Sequence, residues 1–204
     1  MSDISNKTLA ILVGIAIVIS LVGILSIGKG GIVYMTGKGT SGAGPVTFNA
    51  TSEVSIKVTG SIDWGNGRVN STATSATLDS NAGTVVGGTW SAITKYIVIE
   101  NDGTVNISVN LSADGSNNAA GLVGGTSPTF QMKAIETESG ACAGTLGTTY
   151  TDVPSSAEIP FNICDLLQYG LTVDQFNVSA KLVIPSDAPA GARNATITFS
   201  ATQA

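Results

Sequence analysis

Most of the chain after residue 45 alternates between apolar and polar residues with a period of two. Strict alternation is typical of a β-strand that has one buried and one wetted face. Five runs alternate in this way: Val46–Phe48, Val54–Val58, Val105–Leu111, Phe176–Ile184 and Ala195–Ala201. Three further strands are predicted at Ile93–Glu100, Thr129–Thr137 and Phe161–Leu167. We therefore expect a mainly β domain over residues 45–204, an antiparallel sandwich of roughly seven to ten strands, Ig-like or jelly-roll-like.

Turn motifs lie between these runs. They are Asn66-Gly67, Asp102-Gly103, Asp114-Gly115 and the loop Pro185–Gly191. The strongest hairpin signal is Glu100–Thr104, which predicts that the strands on its two sides pair with each other. After residue 30, the only helical feature that the sequence predicts is one short turn at Asp165–Tyr169.

The N-terminal residues 1–28 have a different character, because Leu9–Ile27 is nineteen residues long and carries no charge. An α-helix of that length covers roughly 28 Å, close to the thickness of a bilayer core. An uncleaved membrane anchor is the favoured interpretation, since a signal-peptide core is usually shorter and ends in a cleavage site. A cleaved signal peptide and a helix that packs in a filament core stay open as alternatives. The large apolar side chains expected to drive assembly here are Leu9, Ile11, Leu12, Ile15, Ile17, Val18, Leu21, Val22 and Leu25.

Residues 29–44 form a glycine-rich linker that is expected to behave as a flexible tether. A short apolar island, Ile32, Val33, Tyr34 and Met35, interrupts it. One interpretation is a patch at the membrane interface with Tyr34 at headgroup depth. The other is a short strand that pairs with a neighbouring subunit, which makes Ile32, Val33 and Tyr34 candidate assembly residues.

Two cysteines, Cys142 and Cys164, predict one disulfide in a domain that we expect to be exported. Two buried free thiols are the alternative. Seven Asn-x-Ser/Thr triplets begin at Asn6, Asn49, Asn70, Asn106, Asn110, Asn177 and Asn194. All except Asn6 are candidate glycosylation sites, and several lie on the polar side of an alternating strand. Asn6 is expected on the opposite side of the membrane and unmodified.

The composition argues against most catalytic chemistry. The chain has no histidine, which excludes Ser-His-Asp and Cys-His sites and imidazole metal ligands. Carboxylates are scattered, and Asp63 or the pair Glu136 and Glu138 are the nearest approach to a catalytic arrangement. Asp102 and Asp114 are weak calcium candidates. A pI near 4.5 also argues against a nucleic-acid partner. We expect no enzyme activity and no cofactor, with N-linked glycans as the only added groups.

Three stretches carry a resemblance to known proteins: Ser61–Asn70, Val98–Leu111 and Leu182–Gly191. They resemble small secreted β-sandwich proteins of small-genome archaea, each with one N-terminal apolar helix. The middle stretch is also similar to the TasA/camelysin class of biofilm-fibre subunits, in which an extended N-terminal segment can complete a neighbour's sheet. The N-terminal helix alone resembles that of archaeal type IV pilins, although it lacks a cationic leader and a Glu near its start. The resemblance implies a structural role at the cell surface and no catalytic residues.

These features together predict a structural cell-surface protein, initially anchored in the membrane by residues 9–27. It would assemble with copies of itself into a pilus-like filament, fibre or coat through its N-terminal segment. Bundling of the apolar helices is slightly favoured over strand addition, because nineteen apolar residues offer more burial than four. The alternative function is a monomeric, membrane-tethered module for adhesion or carbohydrate binding.

Overall fold

The computed structural model describes residues 51–170 and 172–204, so the predicted N-terminal helix, the linker and the Val46–Phe48 strand lie outside the described residues. The described chain is mainly β, with antiparallel sheets. Its elements are β1 (Lys57–Thr59), β2 (Ser75–Asp79), β3 (Thr84–Val86), β4 (Ile97–Glu100), β5 (Ile107–Ala113), α1 (Ala119–Leu122), β6 (Thr129–Glu136), β7 (Thr151–Asp152), β8 (Phe161–Leu167), β9 (Gln175–Pro185) and β10 (Ile197–Gln203).

The larger sheet is organised around β9, which is eleven residues long. β6 pairs with it from Phe176 to Val183. β4 pairs with Gln175–Val178 and β2 with Lys181–Pro185. Both of these stretches overlap the residues of β9 that pair with β6. β4 and β2 must therefore pair with the other side of β9, one after the other along its length. β1 extends the sheet beyond β4, β3 beyond β2, and β7 beyond β6.

Ser80 fills the gap that β4 and β2 leave along β9. Its backbone N–H donates to the carbonyl of Ala180 at 3.0 Å, and its Oγ accepts from the Ala180 N–H at 3.0 Å. Ser80 has no solvent exposure. A single buried hydroxyl therefore satisfies a backbone N–H that no strand partner reaches.

The smaller sheet has three strands in the order β10-β5-β8. β10 pairs with β5 along all seven of its residues. The pairing of β5 with β8 is interrupted by register shifts on both sides of Val109. Odd-numbered residues of β5 are fully buried, as the alternation predicted.

One hydrophobic core draws on both sheets. The larger sheet contributes Phe130, Met132, Phe176 and Val178, and the smaller sheet contributes Val109, Leu111, Ile163 and Leu167. Full burial of each such side chain stabilises a fold by about 1.5–3 kcal/mol. The strands that carry these residues therefore turn one face toward this core.

The hairpin predicted at Glu100–Thr104 is wrong. β4 belongs to the larger sheet and β5 to the smaller one, so the chain crosses between sheets at this turn. Asn101 is 2% exposed, and its Nδ2 lies 2.9 Å from the Val105 carbonyl and 3.2 Å from that of Leu167. The buried amide ties the turn to the end of β8, which directs the following residues away from β4.

Two smaller expectations also need correction. The alternating run Val54–Val58 was predicted to be a strand, but only its last two residues belong to one, β1 (Lys57–Thr59). The residues of β1 are exposed, and β1 lies at the edge of the sheet. No helical turn forms at Asp165–Tyr169, since β8 continues to Leu167, which pairs with Ile107 and is fully buried. The short helix is α1 instead.

Replacing Ser80 with Ala should lower the free energy of unfolding by about 1–3 kcal/mol, because the buried Ala180 N–H would lose its acceptor. Chemical denaturation of the full chain measures this. Ser200→Ala is the matched control: Ser200 is exposed, so the change should cost no more than about 0.5 kcal/mol. Equal effects of the two substitutions would contradict the role given to Ser80.

Candidate functional site

β10 has an open edge. No strand of residues 51–170 or 172–204 pairs with the side of β10 that faces away from β5. The Thr196 carbonyl and the Ala204 N–H bond to the β5 side. Because backbone groups alternate in direction along a strand, Ile197, Phe199 and Ala201 direct their N–H and C=O groups to the open edge.

The opposite edge of the smaller sheet is closed. Residues 141–147 lie along β8, where the Ala143 N–H donates to the Leu166 carbonyl at 2.8 Å and the Gly147 N–H donates to that of Ile163 at 2.9 Å. The predicted disulfide is confirmed: Cys142 and Cys164 are bonded, with their Cα atoms 5.9 Å apart. The disulfide joins this covering segment to β8 itself.

A cavity of about 1000 Å³, here called the β10 groove, opens beside the free edge. Most of the side chains that line it are apolar. The larger sheet contributes Leu78, Ile97, Leu182 and Ile184, and the β10 side contributes Ala195, Ile197 and Phe199. The loop Gly60–Gly67 and Trp90 form another wall. The groove therefore lies where the inward face of the larger sheet extends past the narrower, smaller sheet.

The loop wall begins at Gly60, whose φ of 86° lies in the left-handed region. A Cβ there would come within 2.5 Å of the Tyr96 carbonyl oxygen, so glycine is required to end β1 and turn the chain into the wall. Asp63 also lines the groove, and its Oδ1 accepts from the Gly65 N–H at 2.8 Å. This predicted catalytic candidate has a local role in shaping the loop.

Both tryptophans line the groove. Trp90 packs so closely on Gly67 and Gly88 that a Cβ at either position would overlap its ring. The Nε1 of Trp64 is buried and has no acceptor among the described residues. Trp64 also packs against the hydrophobic core, so the groove wall and the core are continuous at this residue.

The other carboxylate candidates are separated and bound to turns. Glu136 accepts from the Gly140 N–H at 2.6 Å, and Glu138 accepts from the Asp174 N–H at 2.8 Å. Burial, followed by the charges of Glu138 and Glu100, raises the pKa of Asp174. Both glutamates therefore position backbone rather than face a common ligand.

Asp102 and Asp114, the calcium candidates, lie at opposite ends of β5 and are exposed. Among residues 51–170 and 172–204, no three carboxylate or thiol side chains are grouped in a way that could hold a metal ion. The two residues accordingly do not form one site together.

A polar group that the sequence did not indicate lies on the outward face of the larger sheet. The Tyr150 hydroxyl donates to Asp79 Oδ1 at 2.7 Å, and the Nζ of Lys133 is 4.7 Å from the centre of the Tyr150 ring. Burial, with Asp79 adding to it, raises the pKa of Tyr150 to about 12, so the hydroxyl stays protonated at neutral pH. No sequence pattern marks this group, because its members come from three distant segments.

Five candidate glycosylation residues lie in the described chain. Asn70 and Asn194 are exposed, whereas Asn106, Asn110 and Asn177 are half-buried on or beside strands. Asn194 also lines the β10 groove. Asn49 and the N-terminal assembly residues lie outside the described residues.

No protein-family model matches the chain, and no curated protein or solved structure matches it either. The similarity to fibre subunits and pilins therefore stays a prediction from sequence. In the described part of the chain, helices are too short to span a bilayer.

Gly67→Ala should disturb the groove wall, because the added methyl group would displace the Trp90 ring. We expect a loss of about 1–3 kcal/mol in unfolding free energy and a changed tryptophan emission spectrum. Gly170→Ala is the control, since a Cβ there meets nothing within 4 Å. If both variants behave alike, Trp90 does not depend on the small residue beneath it.

Proposed function

We propose that this protein is a structural subunit of the cell surface that polymerises when a strand from a second copy enters the β10 groove. The observation that carries the proposal is the edge of β10 with which no described strand pairs, beside a cavity of about 1000 Å³ whose lining side chains are mostly apolar. An exposed edge offers a row of backbone donors and acceptors, and a strand added to it gains specificity from pockets for alternate side chains.

If the two sheets form a β-sandwich, the smaller sheet would lack one strand, next to β10. The inward side chains of β10, Ile197 and Phe199, are only half-buried, as expected of residues next to a missing neighbour. The added strand would hydrogen-bond to the free backbone groups of β10 and cover apolar residues of the larger sheet such as Leu182 and Ile184.

The occupant to which we commit is the island Ile32–Met35 of a second copy. Four consecutive apolar residues, preceded by Gly30-Gly31 and followed by Thr36-Gly37, suit a short strand with little steric hindrance at its ends. Fifteen residues, 36–50, separate the island from the described domain and span up to roughly 50 Å when extended. This length lets the island reach another copy.

Charge also favours association of the N-terminal segment with the β domain of another copy. Three of the nine basic residues, Lys7, Lys29 and Lys38, precede residue 51, whereas only one of the fourteen acidic residues, Asp3, does. The segment is thus positive and the domain strongly negative. The opposite charges of segment and domain speed their encounter, whereas the like charges of two domains penalise contact between those domains.

The proposal also includes a location outside the cell and anchoring of new subunits in the membrane. A disulfide persists in an oxidising environment such as the cell exterior. Residues 9–27 would hold newly exported subunits at the membrane until the island of one copy enters the groove of the next.

Graded N-terminal truncation separates strand addition from helix bundling. If Ile32–Met35 is the inserted strand, a chain lacking residues 1–30 should still polymerise with rising concentration, whereas a chain lacking residues 1–36 should not. The second chain should also bind a synthetic peptide of residues 30–38. Electron microscopy and light scattering detect the polymers.

Each alternative gives a different result in that experiment. Loss of polymers on deleting residues 1–30 alone would favour helix bundling. Polymers that persist without residues 1–36 would exclude the island and point to the Val46–Phe48 run. A full-length chain that stays monomeric at all concentrations would indicate that the island fills its own groove.

The acceptor edge can be blocked by one substitution on β10. Ala201→Pro removes an N–H that faces the open edge, and proline is tolerated at such positions. We expect at least a tenfold rise in the concentration needed for polymerisation, while thermal unfolding changes little. Ser200→Ala, on the outward face, should polymerise normally. Normal polymerisation of Ala201→Pro would exclude this edge as the contact.

A second candidate function is a monomeric binding module, which the tryptophans favour. Trp64 and Trp90 line the groove together with Arg193 and Asp63, a combination of aromatic, cationic and anionic side chains that suits a carbohydrate. This function predicts a monodisperse protein whose unfolding temperature rises on addition of an oligosaccharide. Polymer formation without any ligand effect would exclude it.

A further inference from the structure

The outward face of the smaller sheet, here called the hydroxyl face, carries no charged side chain on β5 or β10. Its members on these two strands are Ser108, Asn110, Ser112, Thr198, Ser200 and Thr202. The outward face of the larger sheet differs, since Lys57, Glu100, Lys133 and Lys181 lie there. Folded domains usually keep their surfaces hydrated with charges of both signs. The exposed carboxylate of this sheet, Asp165, lies on β8, so the part of the face that β5 and β10 form has no charge of its own and calls for another source of hydration.

Asn110 lies at the centre of this face. It pairs with Ser200 on β10 and with Asn162 on β8, so small polar residues flank it on both sides. Asn110, Leu111 and Ser112 form an Asn-x-Ser triplet in which Leu111 points into the core and the other two point outward. No hydrogen bond from the Asn110 side chain is found among the described residues.

Asparagines that begin a triplet differ from a neighbouring asparagine in whether the side-chain nitrogen donates a hydrogen bond. Asn106, which begins a triplet two residues before Ser108, accepts from the Tyr169 N–H through Oδ1 at 3.2 Å, which leaves Nδ2 available. Asn162, which is not followed by a Ser or Thr at the third position, instead donates Nδ2 to Ser108 Oγ at 2.9 Å. The nitrogen to which a glycan attaches is thus available in Asn106 and engaged in Asn162.

We propose that Asn110, together with Asn106, carries an N-linked oligosaccharide that covers the hydroxyl face. In the transfer, Asn110 Nδ2 attacks the anomeric carbon of an oligosaccharide carried on a lipid phosphate. The new carbon–nitrogen bond replaces the bond to the phosphate oxygen, Nδ2 loses one proton, and the lipid phosphate leaves. A membrane transferase of the exporting cell supplies the activated sugar.

The same reasoning separates Asn194 from these two residues. Asn194 lines the β10 groove, so a glycan there would stand in the path of an incoming strand. We therefore infer that Asn194 is unmodified in polymerised protein, a statement that rests on the proposed function. The glycans of the hydroxyl face point away from the groove and would coat a polymer without obstructing it.

The test uses full-length protein purified from the cells that produce it. Cleavage after Lys95 and Lys133 yields one peptide that contains both Asn106 and Asn110, and mass spectrometry with electron-transfer fragmentation locates each glycan. We expect Asn110→Gln and Ser112→Ala each to lose the mass of one glycan. Ser112→Thr, which preserves the triplet, and Ser200→Ala, on the same face but outside any triplet, should retain it.

The outcomes distinguish the glycan proposal from the proposed entry of a strand into the β10 groove. An unmodified Asn110 in the wild-type protein overturns the glycan proposal, whatever the state of assembly. A glycan that survives in Ser112→Ala would also contradict it, because the acceptor triplet is gone. A glycan on Asn194 in purified polymers would overturn entry through the groove and leave the assignment of Asn110 intact.

Discussion

The side chain of Asn101 holds the chain at the point where it leaves the larger sheet for the smaller one. Its amide nitrogen lies within hydrogen-bonding distance of the carbonyls of Val105, Leu167 and Gln168, and its oxygen accepts from the Gly103 N–H. Left unpaired, such a buried amide would cost several kcal/mol, so the turn and the end of β8 must keep their positions together. Because β5 is thereby separated from β4, it pairs with β8 and β10. A three-stranded sheet with a free outer edge is the consequence.

The alternation of apolar residues predicts the strands β5, β9 and β10 well, since local periodicity decides which face of a strand is buried. The turn residues Glu100–Thr104 wrongly predicted a hairpin. The buried side chain of Asn101, whose partners include the distant Leu167 carbonyl, determines the path of the chain there instead. β2 was missed because Ser75–Asp79 contains only two apolar residues, which are buried beside the longer strand β9. Segments of this kind acquire their structure from neighbours rather than from their own propensity.

The groove belongs to the features that no local pattern predicts. It arises from a difference in width between two sheets, and that difference depends on which strands share a sheet. The aromatic residues that line it are spread from Trp64 to Phe199. Cysteine count, in contrast, predicted the disulfide directly, because two cysteines in one chain allow a single pairing. The strands and the disulfide could thus be predicted from the sequence. The candidate site could not, because it depends on how distant strands are arranged in the two sheets.

The two edges of the smaller sheet are treated in opposite ways. At β8, residues 141–147 and a disulfide cover the edge, whereas no strand of the described residues pairs with the outer side of β10, which lies next to apolar side chains. Proteins that remain monomeric generally protect every sheet edge against pairing with another chain. Because one edge is covered, β10 is the single open edge of the smaller sheet among the described residues. If the donor is the N-terminal segment, donor and acceptor are different surfaces of the same chain. A contact between unlike surfaces repeats in one direction, and it produces an open filament unless the rotation between subunits happens to close a ring.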